Sequence, residues 1–209
     1  MVSSLRLFYA ATMERRVLLI RHGSHAEVGH VLSGRSAIAL DARGRAEAAA
    51  VARHLDGMAT TAIYSSPRTR TRETAAAIVA GRAVAGGGVA IAPALDEVDF
   101  GRFAGMRFDA LARDPDWHRW NAERASARCP GGETMAEAVA RAVGFVATLG
   151  EGATVCVTHC DIIRGVVAHY LGLGLERIFA LGCDPGSVTT LELEGDGARL
   201  VALNERPRS

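Results

Sequence analysis

The sequence predicts an α/β fold of three layers, in which helices cover both faces of a mostly parallel, mixed sheet that also carries a short helical cap. Two apolar runs, 16–20 and 153–158, have the length and composition of buried parallel strands. Such runs alternate with segments whose apolar residues recur at helical spacing, as expected for a sheet covered on both faces. Two further runs, about 187–193 and 198–203, predict a C-terminal hairpin, which makes the sheet mixed.

The first half of the chain alternates short strands with capped helices. Aspartate and serine accept hydrogen bonds from the first N–H groups of a helix, and proline suits the first turn. The expected elements are a helix capped by Asp41 and ending near residue 55, a strand at 62–64, a helix starting at Ser65-Ser66-Pro67 and ending near residue 80, and a strand at 89–91.

The second half begins with the least regular segment, 93–131, of which about 102–130 is expected to form the cap. Trp117 and Trp120 are three residues apart, as on one helical face, and packing within the cap is favoured over stacking on a substrate. The remaining expected elements are a helix after Thr134 that ends near Leu149, the strand 153–158 and a helix at 161–171.

Composition indicates one ordinary globular domain. The 209 residues are 49% hydrophobic and 22% charged, and the formal net charge is +1. This balance provides no overall field that favours nucleic acid or a membrane surface, and no run reaches the roughly 18 apolar residues of a membrane span. Residues 1–13 are expected to be a loose leader before a single domain at 14–209. The oligomeric state is left open.

The four cysteines indicate reduced thiols. They occur at 129, 156, 160 and 183 and include no CxxC pair, which argues against a disulfide framework or a structural zinc site. The expected compartment is therefore the cytoplasm.

Two of the predicted strands end in a histidine. The first delivers Arg21-His22-Gly23, and the later one delivers Thr158-His159. Sites in open α/β sheets form outside the carboxyl ends of the strands. If both strands end at the same sheet edge, two imidazoles and a guanidinium form a cationic pocket suited to a phosphoryl group.

Two further segments supply groups that phosphoryl transfer requires. The junction 65–74 is dense in arginine, and arginine binds phosphate oxygens through charge-assisted hydrogen bonds. The loop 95–101 is acidic, and a carboxyl group with a raised pKa can protonate the leaving oxygen. A neutral imidazole can attack phosphorus as the nucleophile.

These segments together resemble the histidine phosphatase superfamily, the family of phosphoglycerate mutase-like enzymes. The motifs occur in the family's order and span residues 16 to 165. They are Arg21-His22-Gly23, Ser65-Ser66-Pro-x-x-Arg70 with Thr74-Ala75, Leu95-x-Glu97-x-x-x-Gly101, Gly131-Gly132-Glu133 and Thr158-His159, and the region Leu40 to Ala48 resembles the family's first helix.

The resemblance implies a role for each matched residue. His22 corresponds to the nucleophile that becomes phosphorylated, and His159 to the second histidine of the pocket. Arg21 and Arg70 correspond to the residues that hold the phosphate, and Glu97 to the general acid. No metal and no organic cofactor is implied, and no HExxH spacing is present.

The sequence departs from the family's pattern at two places. After Arg-His-Gly the family often has Glu-Thr, whereas this chain has Ser24-His25, so these two residues are candidates for contact with substrate. After the second histidine the family often has glycine, whereas this chain has Cys160-Asp161. One branch of the family draws its general acid from an aspartate near this position, so Asp161 remains a second choice behind Glu97.

The favoured function is hydrolysis of a small phosphorylated substrate, a phosphate monoester, through a phosphohistidine. By the same resemblance, mutases of the family have longer chains, with a bulkier insertion between the acid and the second histidine. The corresponding segment of this chain is short, which favours attack on the phosphohistidine by water. Two alternatives stay open: phosphoglycerate mutase-type transfer between substrate hydroxyls, and a non-catalytic domain that binds phosphate or a phosphoprotein. The cap is expected to select the substrate.

Overall fold

The computed structural model describes residues 15–80, 82 and 84–208, and within them six strands form one mixed sheet. Its spatial order is β3-β2-β4-β1-β5-β6. The strands β1 to β4 are mutually parallel, and β5 and β6 form the antiparallel hairpin predicted at the C-terminus. Their bounds are β1 Arg15–Arg21, β2 Ala62–Ser65, β3 Val89–Ile91, β4 Gly152–Thr158, β5 Val188–Glu194 and β6 Gly197–Glu205.

Helices cover both faces of the sheet, which confirms the predicted fold class. Their bounds are α1 Ala42–His54, α2 Thr69–Val79, α3 Phe108–Leu111, α4 Pro115–Ala122, α5 Met135–Ala147 and α6 Cys160–Tyr170, and 3₁₀ turns lie at Pro93–Leu95, Gly101–Phe103 and Leu175–Ala180. In the described part of the chain no helix has the length and apolarity to cross a membrane. The expected leader at 1–13 lies outside the described residues.

The central position of β1 in the sheet explains the continuous apolar run at 17–20 within this strand. Leu18 and Ile20 pack in a core cluster with residues of α1 and α2, whereas Val17 and Leu19 belong to the cluster formed with α5 and α6. Successive side chains of a strand point to opposite faces, so a strand covered on both faces lacks the alternation of apolar and polar residues.

The second helix begins later than the sequence predicts. β2 includes Ser65, and α2 starts at Thr69 with Arg68 at the N-cap position and no side-chain cap. The Ser66 hydroxyl is not a helix cap, because it lies 2.8 Å from His159 Nε2 and donates to Asp96. Ser66, which local capping rules assign to the start of the helix, therefore makes tertiary contacts instead.

Short helices and stacked aromatic rings make up the segment expected to be the cap. The indoles of Trp117 and Trp120 stack with centroids 5.2 Å apart, as their spacing suggests. Phe100 meets Trp120 edge to face, and Phe103 meets Trp117 in the same way. Trp120 and Phe103 are buried, so these rings fasten α4 to the domain.

The loop after β1 lies directly against α1 through two glycines. A Cβ on Gly44 would be 1.9 Å from the Ser24 carbonyl oxygen, and one on Gly23 would be 2.4 Å from the Gly44 carbonyl oxygen. No real Cβ makes such contacts, so the backbones would have to separate. The close contact between these two backbone segments positions the loop that carries His22.

We expect Gly44→Ala to lower the free energy of unfolding by about 1–3 kcal/mol, the usual cost of forcing extra volume into a packed site. Gly144→Ala is the matched control, since Gly144 also lies in a helix but has open space around it. That change should stabilise the protein by about 0.5–1 kcal/mol. Chemical denaturation of the two variants measures both effects, and a stabilising Gly44→Ala would contradict the packing described.

Candidate active site

The register of two parallel strands places both predicted histidines at one edge of the sheet. Arg21 and Thr158, the last residues of β1 and β4, are direct partners in the pairing. The next residue, His22, donates its backbone N–H to the Thr158 carbonyl at 3.1 Å. The rings of His22 and His159 are therefore only 5.3 Å apart between centroids and meet edge to face. Both side chains are buried.

Arg70 contributes a buried cation beside the two histidines. It is 1% exposed, and its guanidinium donates to the carbonyls of Gly34 at 2.5 Å and Ser36 at 3.1 Å. The same group lies 3.1 Å from His159 Nδ1. Its buried Nε has no hydrogen-bond partner within the described residues. Buried donors are rarely left unpaired, so this N–H suits an anionic ligand.

The protonation of His159 follows from its neighbours. Arg70 can only donate, so Nδ1 accepts and Nε2 carries the proton. Nε2 then donates to the Ser66 hydroxyl at 2.8 Å, and that hydroxyl donates to Asp96 at 3.3 Å. Arg68 holds the Asp96 carboxylate with two bonds of 2.9 and 2.8 Å. Burial, followed by Arg70, keeps the pKa of His159 well below its usual range, so the ring is neutral at physiological pH.

His22 is held in the tautomer that a nucleophile requires. Its Nδ1 lies 2.8 Å from the Gly23 carbonyl, which can only accept, so Nδ1 carries the proton and Nε2 bears the lone pair. Burial, with further contributions from Arg70 and Arg21, holds the pKa of His22 well below its usual range. The ring is therefore a neutral imidazole in a cationic environment.

Glu97 retains its proton at neutral pH. Burial, reinforced by the nearby Asp161 carboxylate, raises the pKa of Glu97 from its usual value near 4.5 to about 8. Oε1 accepts the Val98 N–H at 3.0 Å, and Oε2 lies 3.8 Å from His159 Nδ1. A protonated carboxyl group thus lies beside His159.

His22, Arg70 and Glu97 line a cavity of about 380 Å³ at the edge of the sheet, whereas the fully buried His159 is not among the residues of its wall. Arg21 also lines it; its Nη1 donates to the Cys183 carbonyl at 2.6 Å, and its buried Nε has no hydrogen-bond partner among the described residues. The rest of the wall comes from the loop after β1, the acidic loop, the cap, α6 and the 3₁₀ turn Leu175–Ala180. These residues are Val28, Gly29, Val31, Leu32, Ser33, Gly34, Phe100, Phe108, Trp117, Asn121, Arg124, Cys160, Asp161, Arg164 and Phe179.

Residues 17–206 match the family model of the histidine phosphatase superfamily (branch 1). The chain belongs to this superfamily. It is 34% identical over 202 residues to the bifunctional protein Rv2228c of Mycobacterium tuberculosis, covering 90% of this chain and 53% of that protein. This chain therefore spans about half the length of that relative.

Two named phosphatases match over most of their own length and most of this chain. Phosphoserine phosphatase 1 of Hydrogenobacter thermophilus is 28% identical, covering 79% of this chain and 80% of that protein. The mycobacterial glucosyl-3-phosphoglycerate phosphatase Rv2419c superposes with a TM-score of 0.79 at 25% identity, covering 92% of this chain and 99% of that chain. The phosphoglycerate mutase-like fold expected from the motifs is thereby confirmed.

The two residues at which the chain departs from the superfamily's pattern have different surroundings. His25 lines the cavity, and burial lowers its pKa to about 4, while its Nδ1 has no hydrogen-bond partner among the described residues. Ser24 instead contacts α1, because its N–H donates to Glu47 at 2.7 Å and its hydroxyl donates to the same carboxylate at 3.1 Å. The structure therefore does not place Ser24 in the cavity wall.

The second candidate acid, Asp161, forms ion pairs. It lies 3.7 Å from Arg124 and 3.9 Å from Arg164, and all three residues line the cavity. The sequence pattern does not predict that Arg124, Arg164 or Ser66 lies at the site. Ser66 lies inside a quoted motif, whereas the two arginines are inconspicuous because all 24 basic residues of the chain are arginine.

No group of three or more His, Cys, Asp or Glu side chains within residues 15–80, 82 and 84–208 is arranged to hold a metal ion. The four cysteines are free thiols.

The raised pKa of Glu97 has a consequence for stability. In the folded protein Glu97 keeps its proton up to about pH 8, whereas its usual pKa near 4.5 applies to the unfolded chain. Its stabilising contribution is complete below about pH 4.5 and is lost as the pH rises towards 8. We expect wild type to lose stability relative to Glu97→Gln across this range, by more than about 1.4 kcal/mol, the equivalent of one pKa unit.

Chemical denaturation of wild type and Glu97→Gln at intervals between pH 4.5 and 8.5 measures this difference. Glu151→Gln, at an exposed loop position, serves as the control and should follow wild type at every pH. A constant difference between wild type and Glu97→Gln would show that folding does not raise the pKa of Glu97.

Proposed function

We propose that this protein hydrolyses phosphate monoesters through a phosphohistidine formed on His22. The observation that carries the proposal is one cavity lined by a neutral His22 imidazole, a protonated Glu97 carboxyl and two arginines, Arg21 and Arg70, whose buried Nε–H groups have no hydrogen-bond partner among the described residues. His159 lies buried beside His22 and accepts a hydrogen bond from Arg70. Membership of the superfamily and similarity to proteins named as phosphatases support the same chemistry.

In the first step the lone pair of His22 Nε2 attacks phosphorus, and the bond from phosphorus to the ester oxygen breaks. Glu97 gives its proton to the departing oxygen, so the leaving group is an alcohol. Arg21 and Arg70 stabilise the charge on the transferring phosphoryl oxygens. His159, whose Nε2 donates to Ser66 and whose Nδ1 accepts from Arg70, holds the Arg70 guanidinium in place.

In the second step water attacks the phosphohistidine. The ionised Glu97 takes a proton from this water, the bond between nitrogen and phosphorus breaks, and inorganic phosphate leaves. Glu97 is thereby protonated again and His22 returns to its neutral form. In this proposal residues 102–130 act as the cap of a single domain, and Asp161 balances the charge of neighbouring arginines.

We expect p-nitrophenyl phosphate to be hydrolysed in excess EDTA, and His22→Ala to reduce the turnover at least about 10³-fold because the nucleophile is lost. His30→Ala is the matched control, since His30 is exposed and does not line the cavity; it should keep wild-type turnover. Acid quenching should trap a phosphoenzyme in wild type only. A trapped phosphoryl group that passes to a second hydroxyl rather than to water would indicate a mutase, and binding without turnover would indicate a non-catalytic domain.

The identity of the acid is tested by Glu97→Gln and Asp161→Asn. We expect Glu97→Gln to reduce kcat/KM for alkyl phosphates about 10²–10⁴-fold, with a smaller loss for p-nitrophenyl phosphate, whose leaving group needs less protonation. In wild type, kcat/KM should fall above about pH 8, where Glu97 loses its proton. Asp161 would instead be the acid if Asp161→Asn, and not Glu97→Gln, lost more kcat/KM for alkyl phosphates than for p-nitrophenyl phosphate.

A further inference from the structure

Arg124 is a buried cation in the cavity wall that the reaction described above does not use. It is 3% exposed, and its guanidinium lies between the rings of Trp120 and Phe179, 4.2 Å from each centroid. Nη2 donates to Asn121 at 2.9 Å, but the buried Nε and Nη1 have no hydrogen-bond partner among the described residues. A cation held this far from water normally has its donors satisfied.

A second arginine lies beside the same group. Arg164 is on α6, its Nε donates to the Leu181 carbonyl at 2.8 Å, and its guanidinium lies 5.6 Å from the Phe179 ring. The Asp161 carboxylate lies between the two arginines at 3.7 and 3.9 Å, beyond hydrogen-bond distance from either. One carboxylate therefore balances only one of the two charges.

Charge balance across the cavity points to a second negative group on the substrate. Four arginines line the described cavity wall, and at neutral pH Asp161 is the carboxylate that opposes them, because Glu97 keeps its proton up to about pH 8. A phosphate monoester dianion neutralises two of the three remaining positive charges. One positive charge is left, which matches a carboxylate better than a second phosphate dianion.

We propose that Arg124 and Arg164 form a carboxylate subsite, so that the preferred substrates are phosphate monoesters whose alcohol part carries a carboxylate. This inference rests on the proposed phosphatase function and specifies its substrate class. Asp161, 3.7 and 3.9 Å from the two arginines, lines the same cavity as Glu97, so the subsite opens on the cavity that holds the group proposed to protonate the leaving oxygen. The carboxylate would then lie on the part of the substrate that leaves.

The test compares 3-phosphoglycerate with glycerol 3-phosphate, which has a hydroxymethyl group in place of the carboxylate. We expect wild type to favour 3-phosphoglycerate in kcat/KM by at least about tenfold, the effect of about 1.4 kcal/mol. Arg124→Met and Arg164→Met should each reduce this ratio by about tenfold. Methionine preserves much of the volume beside the aromatic rings, and thermal denaturation verifies that each variant is folded.

Arg119→Met is the matched control. Arg119 is on the same cap helix as Trp120, is 65% exposed, pairs with Glu123 and does not line the cavity. It should retain the wild-type ratio. No preference in wild type, or a ratio that survives both cavity variants, would overturn the subsite.

A binding measurement separates this proposal from the phosphatase proposal. Calorimetric titration of His22→Ala with each of the two esters reports the subsite without any turnover. Tighter binding of 3-phosphoglycerate that Arg124→Met abolishes would support the subsite even if wild type hydrolysed neither ester. Equal affinity for both esters would reject the subsite while leaving hydrolysis of other monoesters intact.

Discussion

The parallel pairing of β1 with β4 is the interaction on which the candidate site depends. Because Arg21 is opposite Thr158, the two histidines that follow these strands leave the sheet side by side. A shift of one residue in this register would invert the faces of one strand and separate the imidazoles. Apolar side chains on both faces of β1 resist such a shift, so the core and the site depend on the same pairing.

Burial determines the protonation of the groups gathered at this edge. Two histidines beside Arg70 lose the tendency to accept a proton, and Glu97 loses the tendency to release one. The same desolvation acts in opposite directions on the pKa of a base and of an acid, because it disfavours the charged form of each. Neutral imidazoles and a protonated carboxyl group can therefore coexist at neutral pH. The arginines remain charged and supply the field for a phosphoryl anion.

The cap contributes a further charged side chain, Arg124, to the wall of the cavity. Stacked indoles hold α4 against the domain, and the ring of Trp120 is one of the two surfaces that enclose Arg124. An arginine between aromatic rings keeps its charge while its surroundings lose water, which strengthens its effect on a nearby anion. The cap thus contributes charge as well as shape to the cavity, and it does so beside Asp161 on α6.

The sequence by itself determined the class of fold, because the alternation of apolar runs and helical spacing reflects local geometry and burial that each segment carries alone. It also predicted His22, Arg70, Glu97 and His159 as candidate site residues, and the structure brings these four side chains together. Only the tertiary structure decided that Ser66 contacts His159 rather than capping α2, that Ser24 turns to Glu47, and that Arg124 meets Asp161. Each of these contacts joins segments brought together by packing, and in a chain whose basic residues are all arginine, residue type does not distinguish an arginine in the cavity from one on the surface.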